Sequence, residues 1–186
     1  RNQTGIVGNR WSRLKVDRIE LTPRNLEQFG IYVAEGFAGK QGQVYFAFST
    51  YETGLTSLTT EWFKTLGLIP QISDSTRHRR KVYACSKQVA FLFRKTFGTS
   101  ASEKKIPHEF LLLPNTKLSH FVRGIWRGDG NIAKVGPKRA RYDTTSKTLA
   151  KQLFAALVKM GYMPSLKVSQ RSVRHSGRRH GIIHRH

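Results

Sequence analysis

A nine-residue pattern occurs twice in this chain, and it limits the fold more than any other feature. Gln28–Gly36 reads QFGIYVAEG and Val122–Gly130 reads VRGIWRGDG, each with glycine third, an acid eighth and glycine ninth. Around the second copy, apolar side chains recur at Leu118, Phe121, Val122 and Ile125, the spacing of an amphipathic helix. Thr116 is placed to cap its start. Gly124 and Gly128 lie on one face, so a second helix backbone can approach closely there. Gly130 is read as letting the chain turn out of the helix without a Cβ penalty. Asp129 then sits at a helix C-terminus, where the backbone dipole is already negative. A carboxylate in that position asks for a cation.

The duplication extends beyond the motif. An offset of 94 residues carries Glu35 onto Asp129. The same offset carries Thr22 onto Thr116, Gly30 onto Gly124, Leu55 onto Leu149, Leu66 onto Met160, Gly67 onto Gly161, Pro70 onto Pro164 and Ile72 onto Leu166. Glycines, prolines, acid and apolar phase agree without a gap, which marks an internal repeat. The expected organisation is a basic N-terminal arm over 1–21, a first half over 22–98, a polar linker over 99–115 and a second half over 116–186.

Each half reads as helix, strand pair, helix, strand pair. Thr22-Pro23 starts the first motif helix. Val44, Phe46 and Phe48 share one face of a strand. Leu58, Trp62, Phe63 and Leu66 form an amphipathic helix ended by Gly67. Strands at 68–72 and 81–84 flank a basic loop, and Lys87–Phe97 is a last helix. In the second half, a helix over 146–160 precedes a strand from Tyr162 and a return strand near 181–185. Nothing in the second half matches the helix Lys87–Phe97.

The charge points to the partner. There are 33 Lys+Arg against 11 Asp+Glu, a net +22. Such a chain seeks a polyanion. No apolar run approaches the ~20 residues that span a bilayer, so nucleic acid is expected rather than membrane. The candidate contacts are Lys40, Arg77, Arg79, Arg80 and Lys81 in the first half. In the second they are Lys134, Lys138, Arg139, Arg141, Arg171, Arg174, Arg178 and Arg179. Arg123 and Arg127 form a basic helix face that either meets solvent or meets phosphate. The single Cys85 excludes a disulfide framework and a cysteine-rich zinc site. His175, His180, His184 and His186 lack the helical spacing of a zinc site. The start at Arg1 rather than Met fits a trimmed N-terminus, such as a removed targeting segment. It sets an expectation of organellar location, in mitochondrion or chloroplast, or otherwise intracellular.

The two motifs resemble those of the LAGLIDADG homing endonucleases, in particular single-chain, two-motif members related to intein endonucleases. The resemblance runs from about residue 22 to 186. It implies an α+β monomer that is an internal pseudo-dimer, with two pseudo-twofold αββαββ(α) halves and four-stranded saddle sheets. The chain departs from that pattern in its second half, whose last helix is missing or lies beyond residue 186. The motif helices would pack along Gly30, Ala34, Gly124 and Gly128. Glu35 and Asp129 would then be the catalytic, metal-holding acids. Two close carboxylates repel unless cations lie between them, and Mg²⁺ takes oxygen ligands. The implied reaction is metal-dependent, site-specific cleavage of double-stranded DNA, with strand side chains reading bases. The active-site lysines of many family members have no assigned place here; Thr50 and Thr145 lie where polar support is expected. A second reading stays open. The chain would be a catalytically retired descendant that binds structured RNA, as an intron-splicing maturase or a structural protein of an organellar (mitochondrial) ribosome bound to its rRNA. In that case no cofactor is needed.

Overall fold

The computed structural model describes residues 18–132, 140–168 and 180–183, with backbone alone at 75–76, 132 and 180–183. Lys134, Lys138, Arg139, Arg171, Arg174, Arg178, Arg179 and most of the N-terminal arm lie outside the described residues, as do His175, His184 and His186.

The first motif becomes helix α1, Pro23–Glu35. Thr22 caps it, its hydroxyl accepting from the Asn25 amide at 3.2 Å, and Pro23 occupies the first turn. The second motif becomes α5, Asn115–Asp129, which starts behind Pro114. Thr116 therefore lies inside the first turn and is not the cap; its carbonyl accepts from the Ser119 hydroxyl at 2.9 Å. Both helices end into extended backbone, at Gly36 (φ −91°) and Gly130 (φ −76°). Neither glycine is left-handed, so the expected reason for Gly130 is corrected. A Cβ at Gly130 would strike the Trp126 indole, and one at Gly36 would strike the Tyr32 ring.

The chain forms two compact units that do not follow the repeat. One contains residues 38–91. Its strands are β2 (Gln43–Ser49), β3 (Gln71–Thr76) and β4 (Arg79–Cys85). They join β1 (Gly36–Ala38) in a sheet of order β1-β2-β4-β3. β2 and β4 are antiparallel, with Phe46 opposite Val82. Val44, Phe46 and Phe48 face inward as the alternation predicts, against α2, Thr53–Thr65. Phe46 meets the Trp62 and Phe63 rings at 6.2 and 5.7 Å. Gly67 (φ 75°) ends that helical segment. Strand β3 begins after Pro70 rather than at Leu68, which is buried.

The other unit contains 20–37 and 92–186. It holds α1, α5, the end of α3 (Lys87–Phe97), the short α4 (His108–Leu111) and α6 (Lys147–Lys159). Ser146 caps α6, accepting from the Leu149 amide at 3.1 Å. Its core is aromatic: Tyr32 meets Phe93 at 4.5 Å, and Phe110 meets Phe121 at 5.0 Å. The sheet is β5 (Gly130–Ile132), β6 (Ala140–Thr144) and β7 (His180–Ile183), in that order. The repeat predicts a fourth strand from Tyr162. Among the described residues that stretch makes one isolated bridge, at Ser165. Nor is 99–115 a free linker: the Gln152 amide pairs with both the Ile106 N–H and carbonyl at 2.8 Å. No helix among the described residues is long and apolar enough to cross a membrane.

Candidate functional site

The site begins with the seam between α1 and α5. A Cβ on Gly30 would lie 2.7 Å from the Ile125 nitrogen and 2.9 Å from the Gly124 Cα. One on Gly124 would lie 3.0 Å from the Gly30 Cα and would strike the Glu27 carbonyl. One on Gly128 would meet the Ala34 Cβ at 2.5 Å and the Glu35 Cγ at 3.0 Å. The four small residues therefore face one another, and the backbones approach as closely as glycine allows. The close approach runs to the helix ends, so the Glu35 side chain lies beside the last turn of α5, which ends in Asp129.

Both acids also act on one phenol. Tyr142, on β6, is 1% exposed and stands opposite Gly130 in the ladder. Burial raises its pKa, and the charges of Asp129 and Glu35 raise it further. Tyr142 and Asp129 line a cleft of about 390 Å³, with Ala34, Lys104, Thr144 and Thr145 among the other walls. Thr145 was an expected polar support and is there. Thr50 belongs to the other unit, where its hydroxyl donates to the Arg77 carbonyl at 3.2 Å.

Lys104 is the residue that sequence reasoning missed. It lies in the expected linker, yet it is 3% exposed. Its Nζ donates to the Tyr32 carbonyl at 2.9 Å and sits 3.5 Å from the Tyr32 ring centroid. The Tyr32 hydroxyl in turn donates to the Gly98 carbonyl at 3.0 Å. The Ser146 hydroxyl donates to the Lys104 carbonyl at 2.6 Å and fixes the backbone. Desolvation pulls the ammonium down to about 7. The available signal was slight: Lys104 and Ile106 alternate inward in a segment that otherwise reads as polar.

The arginines of the second motif do not turn toward Asp129. Arg123 and Arg127 bond the Glu27 carboxylate of α1 at 2.7 and 2.5 Å. Burial pushes the Glu27 carboxyl up, but the hydrogen bonds and charges of Arg127 and Arg123 outweigh it and hold the group below its ordinary value. Arg127 is thus neither a plain solvated face nor a cation seated on the acid pair.

The basic residues of the first half divide by face. Arg79 and Lys81 alternate to one side of β4, where Lys81 lies 5.0 Å from the Tyr45 ring centroid. On that side the Tyr83 hydroxyl donates to Gln71 at 2.6 Å. Arg80 points the other way and bonds Asp74 at 2.8 Å. Lys40 and Arg77 are exposed in turns. In the second sheet, Arg141 bonds its neighbour on the same face, Asp143, at 2.9 Å.

The donor set fits a hard divalent ion. Among the described residues no three His, Cys, Asp or Glu side chains gather into a site. Two carboxylates alone suit an ion that keeps several waters.

Residues 116–185 match the family model described as a LAGLIDADG-like domain. The ATP-dependent DNA helicase Hel308 of Thermococcus kodakarensis is 32% identical over 169 residues, which are 85% of this chain and 15% of the helicase. A DNA polymerase of Thermococcus litoralis is 31% identical over 144 residues, 75% of this chain and 8% of the polymerase. The chain thus spans only a small part of these relatives. Among solved structures, I-DmoI in complex with DNA and Mn superposes with a TM-score of 0.64 at 14% identity, over 88% of this chain and 90% of that one. At that identity the likeness is one of fold. With two glycine–acid helices meeting along their small residues, the chain belongs to the LAGLIDADG family.

Proposed function

We propose that this chain is a metal-dependent, site-specific DNA endonuclease, in which Glu35 and Asp129 hold Mg²⁺. The observation that supports activity over retirement is Lys104. Burying an amine costs free energy; the Tyr32 carbonyl and ring return part of it, but a scaffold relieved of chemistry has no need of an amine in the cleft of its helix-end acid. With a pKa near 7, Lys104 can accept a proton from an attacking water and pass it to the leaving oxygen. Thr144 and Thr145 offer hydroxyls to orient that water. When bound, the metal would supply charge to the phosphoryl oxygens and lower the pKa of a bound water. Arg79, Lys81, Tyr45 and the Tyr83–Gln71 pair form a polar, cationic sheet face suited to a nucleic-acid groove.

Likeness to a helicase and a polymerase does not extend those activities to this chain. One stretch shared by proteins of such different chemistry behaves as an inserted module, and the nuclease reading explains it without either activity.

The test is selection from a DNA library in Mg²⁺ or Mn²⁺. Glu35→Gln and Asp129→Asn should each reduce cleavage by at least about 10³-fold while leaving binding in Ca²⁺ near parental. Lys104→Met should lose about 10²-fold or more. No cleavage of any library member, together with tight binding to a structured RNA, would replace this reading with the retired RNA-binding one.

A further inference from the structure

Tyr142 has chemistry that the packing around it does not require. The repeat places it where the first half has Phe48, which is 3% exposed and fills its core without a hydroxyl. An aromatic ring therefore satisfies this position in the fold. At 142 the ring carries an oxygen into a site only 1% exposed, where a polar group costs free energy unless it is bonded. The ring is also held. Trp126, one turn before Asp129, lies against it at 5.9 Å. Its backbone pairs with Gly130, the next residue after Asp129. Asp129 shares the cleft with it, and Glu35 lies beside the last turn of α5.

We propose that Tyr142 is a positioning residue for the acid pair, its hydroxyl donating a hydrogen bond into the space shared by Asp129 and Glu35 and holding their carboxylates ready for a divalent cation. This inference rests on the proposed metal-holding role of the two acids. A tyrosine phenol carries its proton at neutral pH, so it is available as a donor there. A carboxylate can accept that bond and still offer oxygen lone pairs to a metal. Groups that orient metal ligands in this way typically shift metal affinity by 10–100-fold when removed.

The experiment uses the full chain without DNA and follows free Mn²⁺ by electron paramagnetic resonance. Tyr142→Phe should weaken Mn²⁺ binding roughly tenfold with the thermal midpoint near parental. Replacing Tyr142 with p-aminophenylalanine, which restores an N–H donor, should recover most of the affinity. If Tyr142→Phe fails to fold, p-fluorophenylalanine at the same position, which nearly fills the space of the hydroxyl without a donor, has the same two outcomes. Asp129→Asn separates the positioning role from the metal site. If it weakens binding and Tyr142→Phe does not, the positioning role is overturned and the metal site stands. If parent and both variants bind alike, or the parent binds no Mn²⁺, the metal reading falls and this inference falls with it.

Discussion

Helices α1 and α5 solve one packing problem with different side chains. Both offer small residues to the seam, Gly30 and Ala34 against Gly124 and Gly128. Away from the seam the repeat-equivalent positions part company. Glu27 of α1 corresponds to Phe121, while Arg123 and Arg127 of α5 correspond to Phe29 and Val33. The close approach leaves no freedom at the glycines and full freedom elsewhere. That freedom has made the pairing directional, since one helix brings the acid and the other brings both bases. Pairing like with like would leave Glu27 without its cations or set arginine against arginine. A duplicated element thus keeps what backbone contact demands and diverges where side chains meet side chains.

The strongest way to break the comparison is to fill the seam. Gly124→Leu drives a side chain into the α1 backbone at Glu27 and Gly30, where nothing flexible can yield. Overpacking costs about 1–3 kcal/mol and more when backbone must move, so a fall of at least about 6–10 °C in thermal midpoint is expected. A parental melting curve would mean that the two helices do not touch there.

That seam is legible in the residues alone, because glycine spacing and the repeated acid are local signals. So are α2, α3, α6 and the inward face of β2, each set by periodicity. What escapes is tertiary. Lys104 reads as a solvated linker lysine until Tyr32 is known to stand over it. Glu27 and its arginines are 96 and 100 residues apart in sequence, so no local pattern joins them. The fourth strand expected from Tyr162 follows the repeat, and among the described residues only a bridge at Ser165 stands there. Tyr142 is within reach of the sequence, since the offset sets it against Phe48, but its hydroxyl gains meaning only once Asp129 and Glu35 are seen to act on it.

Lys104 sharpens the contrast between a residue kept for packing and one kept for chemistry. Its folded pKa, about 7, lies below the ordinary 10.5. Between those values the unfolded chain holds the extra proton, so stability should rise with pH through that window, by on the order of a few kcal/mol. In Lys104→Met this rise should be absent, and the variant at pH 7 should be at least as stable as the parent while losing cleavage. Urea unfolding at pH 7, 8 and 9 reads it directly. A parent whose stability is flat over that range would show that Lys104 is already charged when buried.

Glu27 tests the directional pairing. Its carboxylate is mostly buried, but the arginines are 54% and 44% exposed, so solvent screens the pair. Glu27→Gln should cost about 1–2 kcal/mol, less than filling the seam. Because the folded pKa is lowered, the parental contribution is present above the unfolded value of 4.5 and is lost as pH falls through the folded one. The parent and Glu27→Gln should therefore draw together in stability as pH falls below 4.5. A constant difference from pH 7 to 3 would point to lost packing rather than lost charge.

The smallest effect belongs to a glycine outside the seam. Gly54 lies in the first turn of α2, and its repeat equivalent in α6 is Thr148. A Cβ at Gly54 would meet nothing within 4 Å, so neither contact nor close approach explains it. Glycine in a helix costs roughly 0.5–1 kcal/mol against alanine, mainly through the entropy of the unfolded chain. Near a helix start the lower end applies. Gly54→Ala should therefore raise the thermal midpoint by about 1–2 °C and leave nucleic-acid binding unchanged. The sign is the informative part. Gly124 and Gly54 are both helical glycines, and the same one-carbon addition should destabilise at the first and stabilise at the second. If Gly54→Ala also destabilised, backbone approach at the α1–α5 seam would no longer be what distinguishes the two sites.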